Sequence, residues 1–166
     1  MGGRVTGMDI LAIDPGTKQS GIVLLRSCGK VEGAVWENGP LLRYLKGVLS
    51  PPFPQADPAF TMLVVEEFRS YGQKIGASCI DTIFMAGRFA EGWPGDFDLM
   101  PRKDVLKTLC GTTRAKDKDV RAECLARYGG QDVAIGKKAC AGPLFGITSH
   151  AWQALGLALA YKETRL

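Results

Sequence analysis

The chain has 166 residues, 46% of them hydrophobic and 23% charged, with a formal net charge of +4. That is enough for one well-buried core in a single domain spanning 1–166. The longest apolar runs, 62–65 and 154–161, are too short to cross a bilayer, so no membrane partner is expected.

The first element is a buried strand over 8–14 that ends on Asp14. Pro15-Gly16-Thr17-Lys18-Gln19-Ser20 forms a turn, and a second buried strand follows over 21–27. Gly16 and Gly21 carry no side chain, so another backbone or a phosphate can approach them closely. A third strand over 33–37 holds Val35 and Trp36 and is broken by Asn38-Gly39-Pro40. Leu41, Leu42, Tyr44, Leu45, Val48 and Leu49 recur at helical spacing and predict an amphipathic helix over 40–49. The proline-rich stretch 51–58 is a stiff loop that cannot continue it.

Thr61-Met62-Leu63-Val64-Val65-Glu66 repeats the opening logic, an apolar strand that stops at an acid. A continuous apolar strand belongs in the middle of a sheet covered on both faces. Residues 67–72 form a loop containing Phe68, Arg69 and Tyr71. A helix over 77–91 follows, packed through Ile80, Ile83, Phe84, Gly87 and Phe89. Residues 96–100 suit an edge strand. Pro101 suits the first position of a helix that ends near Gly111. A polar connector covers 112–119, and Val120, Cys124, Leu125 and Tyr128 give a helix stopped by Gly129-Gly130. Residues 130–147 read as a Gly-, Lys- and Ala-rich loop. Ser149 caps a last helix over 149–161, packed through Trp152, Leu155 and Leu159. Strands and helices in this order make a mixed α/β domain.

Charge is unevenly spread. Residues 1–101 carry nine Lys/Arg and eleven Asp/Glu, net −2, whereas 102–138 carry ten and five, net +5. A basic third on a neutral-to-acidic core is the footprint of a phosphate-backbone partner, and equally that of a solvated helical hairpin. The five cysteines are at least fourteen positions apart, which excludes a zinc spacing and fits reduced thiols. The segment 1–7 lacks the apolar core of a signal peptide, and a cytoplasmic protein is expected.

Three polar groups stand at the ends of buried elements: Asp14, Glu66 and His150, the one histidine of the chain. Adjacent parallel strands lie about 4.8 Å apart, so acids at their ends can face each other, and a helix on that sheet can bring His150 to the same edge. Such a group without a lysine costs free energy unless a divalent cation joins it. The plain alternatives are an Asp14 that hydrogen-bonds its turn amides and a His150 that caps its helix.

The pattern resembles the RuvC family of Holliday-junction resolvases, within the RNase H-like superfamily. Ile13-Asp14-Pro15-Gly16-Thr17 with Gly21 carries it first, and Val64-Val65-Glu66 before an aromatic loop carries it second. The third stretch is 105–120, with Gly111 and a Lys/Arg-rich turn between two helices. The fourth is His150-Ala151-Trp152-Gln153-Ala154-Leu155-Gly156. Gly142-Pro143-Leu144 before Ser149-His150-Ala151-Trp152 resembles the phage and prophage variants of the family, whose setting is a bacterial or phage-infected cell. The implied fold is RNase H-like α/β, a central mixed five-stranded sheet with helices on both faces. The implied activity is metal-dependent cleavage of branched DNA by a homodimer.

The resemblance assigns the catalytic positions to Asp14, Glu66, His150 and Gln153, with Asp14, Glu66 and His150 as metal ligands. One or two Mg2+ or Mn2+ ions would activate a water and stabilise the leaving 3′ oxygen, with Mn2+ at least as good because imidazole suits it. The family usually carries acids at the positions of His150 and Gln153, and some members have His at the first. Gln153 brings no charge, so Glu67 is the fallback for the missing acid. Phe68, Arg69 and Tyr71 are candidates to stack on unpaired bases, Phe68 being equally a core residue. Lys107, Arg114, Lys116 and Lys118 are candidates for phosphate contacts.

Three other readings compete. An actin-like or sugar-kinase phosphotransferase shares the Asp-x-Gly-Thr hairpin but needs a second lobe, for which there is no room. A compact RNase H-like nuclease acting on RNA or flaps would use the same acids. A junction-binding protein that cleaves weakly, Gln153 having ended turnover, would keep only the basic segment.

Overall fold

The computed structural model describes residues 7–50 and 53–166. The segment 1–6, where no signal-peptide core is expected, and positions 51–52 of the stiff loop lie outside the described residues. In chain order the elements are β1 (Asp9–Asp14), β2 (Gln19–Leu25), β3 (Val31–Glu37), α1 (Asn38–Leu45), β4 (Thr61–Glu67), α2 (Ala77–Gly92), β5 (Phe97–Pro101), α3 (Arg102–Cys110), α4 (Asp117–Arg127), α5 (Gln131–Ile135), β6 (Gly136–Lys137), β7 (Cys140–Ala141) and α6 (Ala151–Arg165).

The main sheet runs in the order β3-β2-β1-β4-β5. β2 pairs antiparallel with both β1 and β3, while β4 pairs parallel with both β1 and β5. The result is a mixed five-stranded sheet. Alternation along β1 and β4 sends Ile10, Ala12 and Val64 into one core with α3, α4 and α6. Leu11, Ile13, Leu63 and Val65 enter the other, with α1 and the end of α2. Both faces are therefore covered, which is why these strands read as continuous apolar runs.

α6 is buried without a break from Ala151 to Tyr161. A helix that is apolar all round must be covered all round. It lies across β1 and β2 on one side and against α3 and α4 on the other. Gly156 permits that second contact, because a Cβ there would run into Val120 and Leu109.

Several boundaries differ from the expected ones. β2 starts at Gln19, two residues early, because Gln19 and Ser20 pair with Glu37 and Trp36 of β3. β3 starts at Val31, paired with Leu25. α1 begins on Asn38, so the presumed breaker is its first turn, where proline is tolerated. It ends at Leu45, and Val48 is exposed. β4 continues through Glu67. In α2 the expected packing residues Ile80, Ile83 and Phe84 are exposed, and only Phe89 and Ala90 are buried. α4 starts at Asp117 inside the expected connector, where the Lys116 backbone N–H donates to Asp119 Oδ2 at 2.8 Å. The expected loop 130–147 contains α5 and the β6–β7 hairpin, pinned by buried Leu144 and Ile147. Ser149 is not a cap: its φ is +45°, and His150 holds the N-cap position.

Candidate active site

Register places the two acids together. β1 and β4 are parallel neighbours with Ile13 beside Val65, so Asp14 and Glu66 leave the sheet side by side at its edge. Each sits two residues after a side chain of the α6 core, Ala12 and Val64, and so faces α6. Glu67, the next residue of β4, is paired with Arg69 at 2.8 Å.

The turn between β1 and β2 is locked from behind. The Gly16 N–H donates to Ser20 Oγ at 3.1 Å, and Ser20 Oγ donates to Asn38 Oδ1 at 2.7 Å. Asn38 Nδ2 donates back to the Gly16 carbonyl at 2.9 Å. Ser20 and Asn38 are both buried, so each polar group needs these partners. The turn amide is thus satisfied by Ser20, and Asp14 is left for another partner.

That partner is His150. Its Nδ1 lies 3.1 Å from Asp14 Oδ2. Gly21 makes the approach possible: a Cβ there would collide with the His150 carbonyl and the Ala151 nitrogen. The close neighbour that this glycine admits is the start of α6 itself. Gln153 follows one turn later and is buried. Its Nε2 donates to the Asp117 carbonyl at 3.3 Å, while its Oε1 is buried without a partner among the described residues.

Two residues that the sequence reading passed over complete the cleft. Arg102, the first residue of α3, directs Nη1 to Glu66 Oε2 at 3.3 Å and Nη2 to Asp117 Oδ1. β5 ends beside β4, with Pro101 next to Glu67, so the next residue is delivered to the acids. Asp117 went unnoticed because the connector hid a helix start. The Asp117-x-Asp119 pair in that first turn was the available signal.

Electrostatics bear the mark of crowding. Burial raises the Asp14 pKa, opposed by the charge and hydrogen bond of His150. Burial, and then the charge of Asp14, push Glu66 up to about 7 against the pull of Arg102. Two carboxylates this close in a dry edge favour a cation between them.

As a donor set these groups suit a hard or borderline divalent ion: two carboxylates, an imidazole and an amide oxygen with nothing to bind. Among the described residues, no three His, Cys, Asp or Glu side chains already stand as a metal-holding group. Arg102 supplies the positive charge at Glu66 instead.

Asp14, Glu66, Arg102, Asp117, His150 and Gln153 all line one cleft of about 470 Å³. Phe68, Arg69 and Tyr71 form its rim. Phe68 is 40% exposed, so it is not a core residue. Tyr71 has a φ of +48°, and Lys103 Nζ sits 3.5 Å from its ring centre. Lys107, Arg114, Lys116 and Lys118 are exposed and form no ion pair among the described residues. Of these four, only Lys118 borders a cleft with His150. That groove of about 550 Å³ also holds Arg121, which stacks over Trp152.

No protein-family model matches the chain, and no curated protein matches it. Solved structures do. The Thermus thermophilus RuvC structure aligns over 93% of this chain and 93% of that one, with a TM-score of 0.60 and 19% identity. The T. thermophilus RuvC in complex with Holliday junction substrate aligns over 95% and 96%, again with a TM-score of 0.60 and 19% identity. The fold is therefore the RuvC-like, RNase H-like α/β fold expected from the sequence.

Proposed function

We propose that this chain is a RuvC-type, structure-selective DNA endonuclease that resolves four-way junctions by divalent-metal-assisted phosphodiester hydrolysis. One observation carries the reading. Asp14 and Glu66 end adjacent parallel strands under the helix that delivers His150 to Asp14. This arrangement lies in a fold shared with a protein solved in complex with Holliday junction substrate.

Asp14, Glu66 and His150 are the residues that would hold the metal. Bound there, a divalent ion would supply an activated water for in-line attack and would neutralise charge at the leaving 3′ oxygen. The imidazole of His150 orients the Asp14 carboxylate and favours its ionised form. The locked Gly16–Ser20–Asn38 turn keeps Asp14 from collapsing onto its own backbone. Imidazole favours Mn2+ over Mg2+, and both ions are expected to support activity.

Lys118 and Arg121, beside His150, give a strand of DNA a basic path away from the acids. Lys107 on α3 and Arg114 and Lys116 ahead of α4 are further exposed cations available to the DNA backbone. Phe68 and Tyr71 offer rings at the rim for an unpaired base. A second copy of the chain is the expected partner, since a two-fold junction suits a two-fold protein. The exposed Ile80, Ile83 and Phe84 of α2 supply an apolar face for it.

The competing reading is a junction-binding protein without turnover, favoured by Arg102 where a metal would neutralise Glu66. A labelled four-way junction separates the two when incubated with wild type, Asp14→Asn and His150→Ala across Mn2+ and Mg2+ concentrations. Metal-dependent symmetric cleavage by wild type alone supports the nuclease. Tight binding with no cleavage at any concentration supports the binder. Flap and RNA–DNA hybrid substrates run in parallel test the choice of branched DNA.

A further inference from the structure

The cleft has a gap in its chemistry. α6 brings a histidine and an uncharged Gln153 to the acids, leaving two carboxylates, Asp14 and Glu66, to hold the metal. Asp117 stands at the open side of this arrangement. Its main-chain carbonyl is tied to Gln153 Nε2 at 3.3 Å, so α4 and α6 are fixed to each other at that point. Its carboxylate is one guanidinium away from Glu66, because the same Arg102 bonds both. The Asp117 side chain is 78% exposed, so little holds it except Arg102.

A second observation points independently to a ligand. Gln153 is more than nine-tenths buried and lines the cleft, yet its Oε1 has no hydrogen-bond donor among the described residues. A buried amide oxygen normally finds one. A hard cation is one partner that would satisfy such an oxygen, because an amide carbonyl is an ordinary ligand for one.

We propose that Asp117 is the acid missing from α6. With Glu66 and Gln153 Oε1 it forms the outer half of the divalent-cation site, and Arg102 occupies that half until a metal displaces it. The proposal rests on the nuclease reading of the cleft. Glu67, the other acid considered for this role, lines the same cleft but is already paired with Arg69 at 2.8 Å. Arg102 then has a double part. It neutralises Glu66 and Asp117 in the metal-free protein, and once displaced it is a free guanidinium at the mouth of the cleft, suited to a phosphate oxygen.

The test measures Mn2+ binding to the DNA-free protein by calorimetry or by the resonance signal of free Mn2+. It uses wild type, Asp14→Asn, Asp117→Asn and Arg102→Gln, with a thermal melt of each in chelator to establish that it is folded. Asp117→Asn is expected to weaken Mn2+ binding about tenfold or more, the scale on which even outer partners of metal ligands act. Arg102→Gln is expected to tighten binding several-fold, and the gain is expected to vanish in the Asp117→Asn, Arg102→Gln double variant. Asp117→Glu, which keeps the charge, is expected to restore part of the affinity. Wild-type Mn2+ binding in Asp117→Asn, with binding lost in Asp14→Asn, would overturn this proposal and leave the metal reading intact. Wild-type binding in Asp14→Asn would overturn the metal reading itself.

Discussion

His150 Nδ1 lies 3.1 Å from Asp14 Oδ2, although 136 residues separate them in the chain. The contact joins the end of the first strand to the start of the last helix. It exists because α6 crosses β2 at a glycine and because Asp14 is not used by its own turn. Removing the imidazole leaves a buried carboxylate with less to hold it ionised. His150→Ala is expected to fold, to lower junction cleavage by about a hundredfold or more, and to lose any preference for Mn2+ over Mg2+. A strict Mg2+ requirement in wild type, with Mn2+ inhibitory, would remove His150 from the ligand set.

Gly21 tests the crossing that makes this contact. Its missing Cβ is replaced by the backbone of His150 and Ala151, which cannot move aside as a flexible side chain would. Gly21→Ala should therefore lift the start of α6 and cost about 3 kcal/mol or more. Chemical denaturation measures the loss, and cleavage should fall even below the melting temperature. Full stability and activity in this variant would mean that α6 does not sit as closely as described.

Glu66 makes stability depend on pH. Its carboxyl is held at about 7 in the folded protein, against 4.5 ordinarily. Between those values the native state binds the extra proton, so stability falls as pH rises through the window, and the full penalty is present above about pH 7. Glu66→Gln removes the ionisation and keeps the shape. In chelator, wild type is expected to lose about 2 to 3 kcal/mol relative to Glu66→Gln between pH 5 and pH 8. Parallel stability curves for the two proteins would contradict this.

The exposed basic segment acts on affinity. Arg114, Lys116 and Lys118 precede or open α4 and have no acidic partner among the described residues. Replacing all three with Ala should weaken junction binding and flatten the slope of log affinity against log salt by about 2 to 3. An unchanged slope would show that the DNA path lies elsewhere.

Much of this site is legible in the sequence, because its chemistry sits at strand ends. Asp14 and Glu66 each close an apolar run, and even spacing from Ala12 and Val64 assigns both to one face. His150 is visible as the lone histidine before an apolar helix. Arg102 and Asp117 are not visible in this way. Arg102 matters only because β5 ends beside β4, a pairing that no local pattern encodes. Asp117 lies in a polar run that resembles a loop, and only the capping contact of Asp119 makes it the first residue of a helix. Exposure of Ile80, Ile83 and Phe84 is also hidden, since helical periodicity reports an apolar stripe but not what covers it.

The proposed nuclease activity depends on Asp14 as the anchor of a metal-dependent centre. The most direct measurement compares wild type and Asp14→Asn on a labelled four-way junction with Mn2+, scoring binding and cleavage on the same samples. Asp14→Asn is expected to bind the junction as tightly as wild type or tighter, with cleavage reduced by about a thousandfold or to background. Cleavage by Asp14→Asn at the wild-type rate would contradict it.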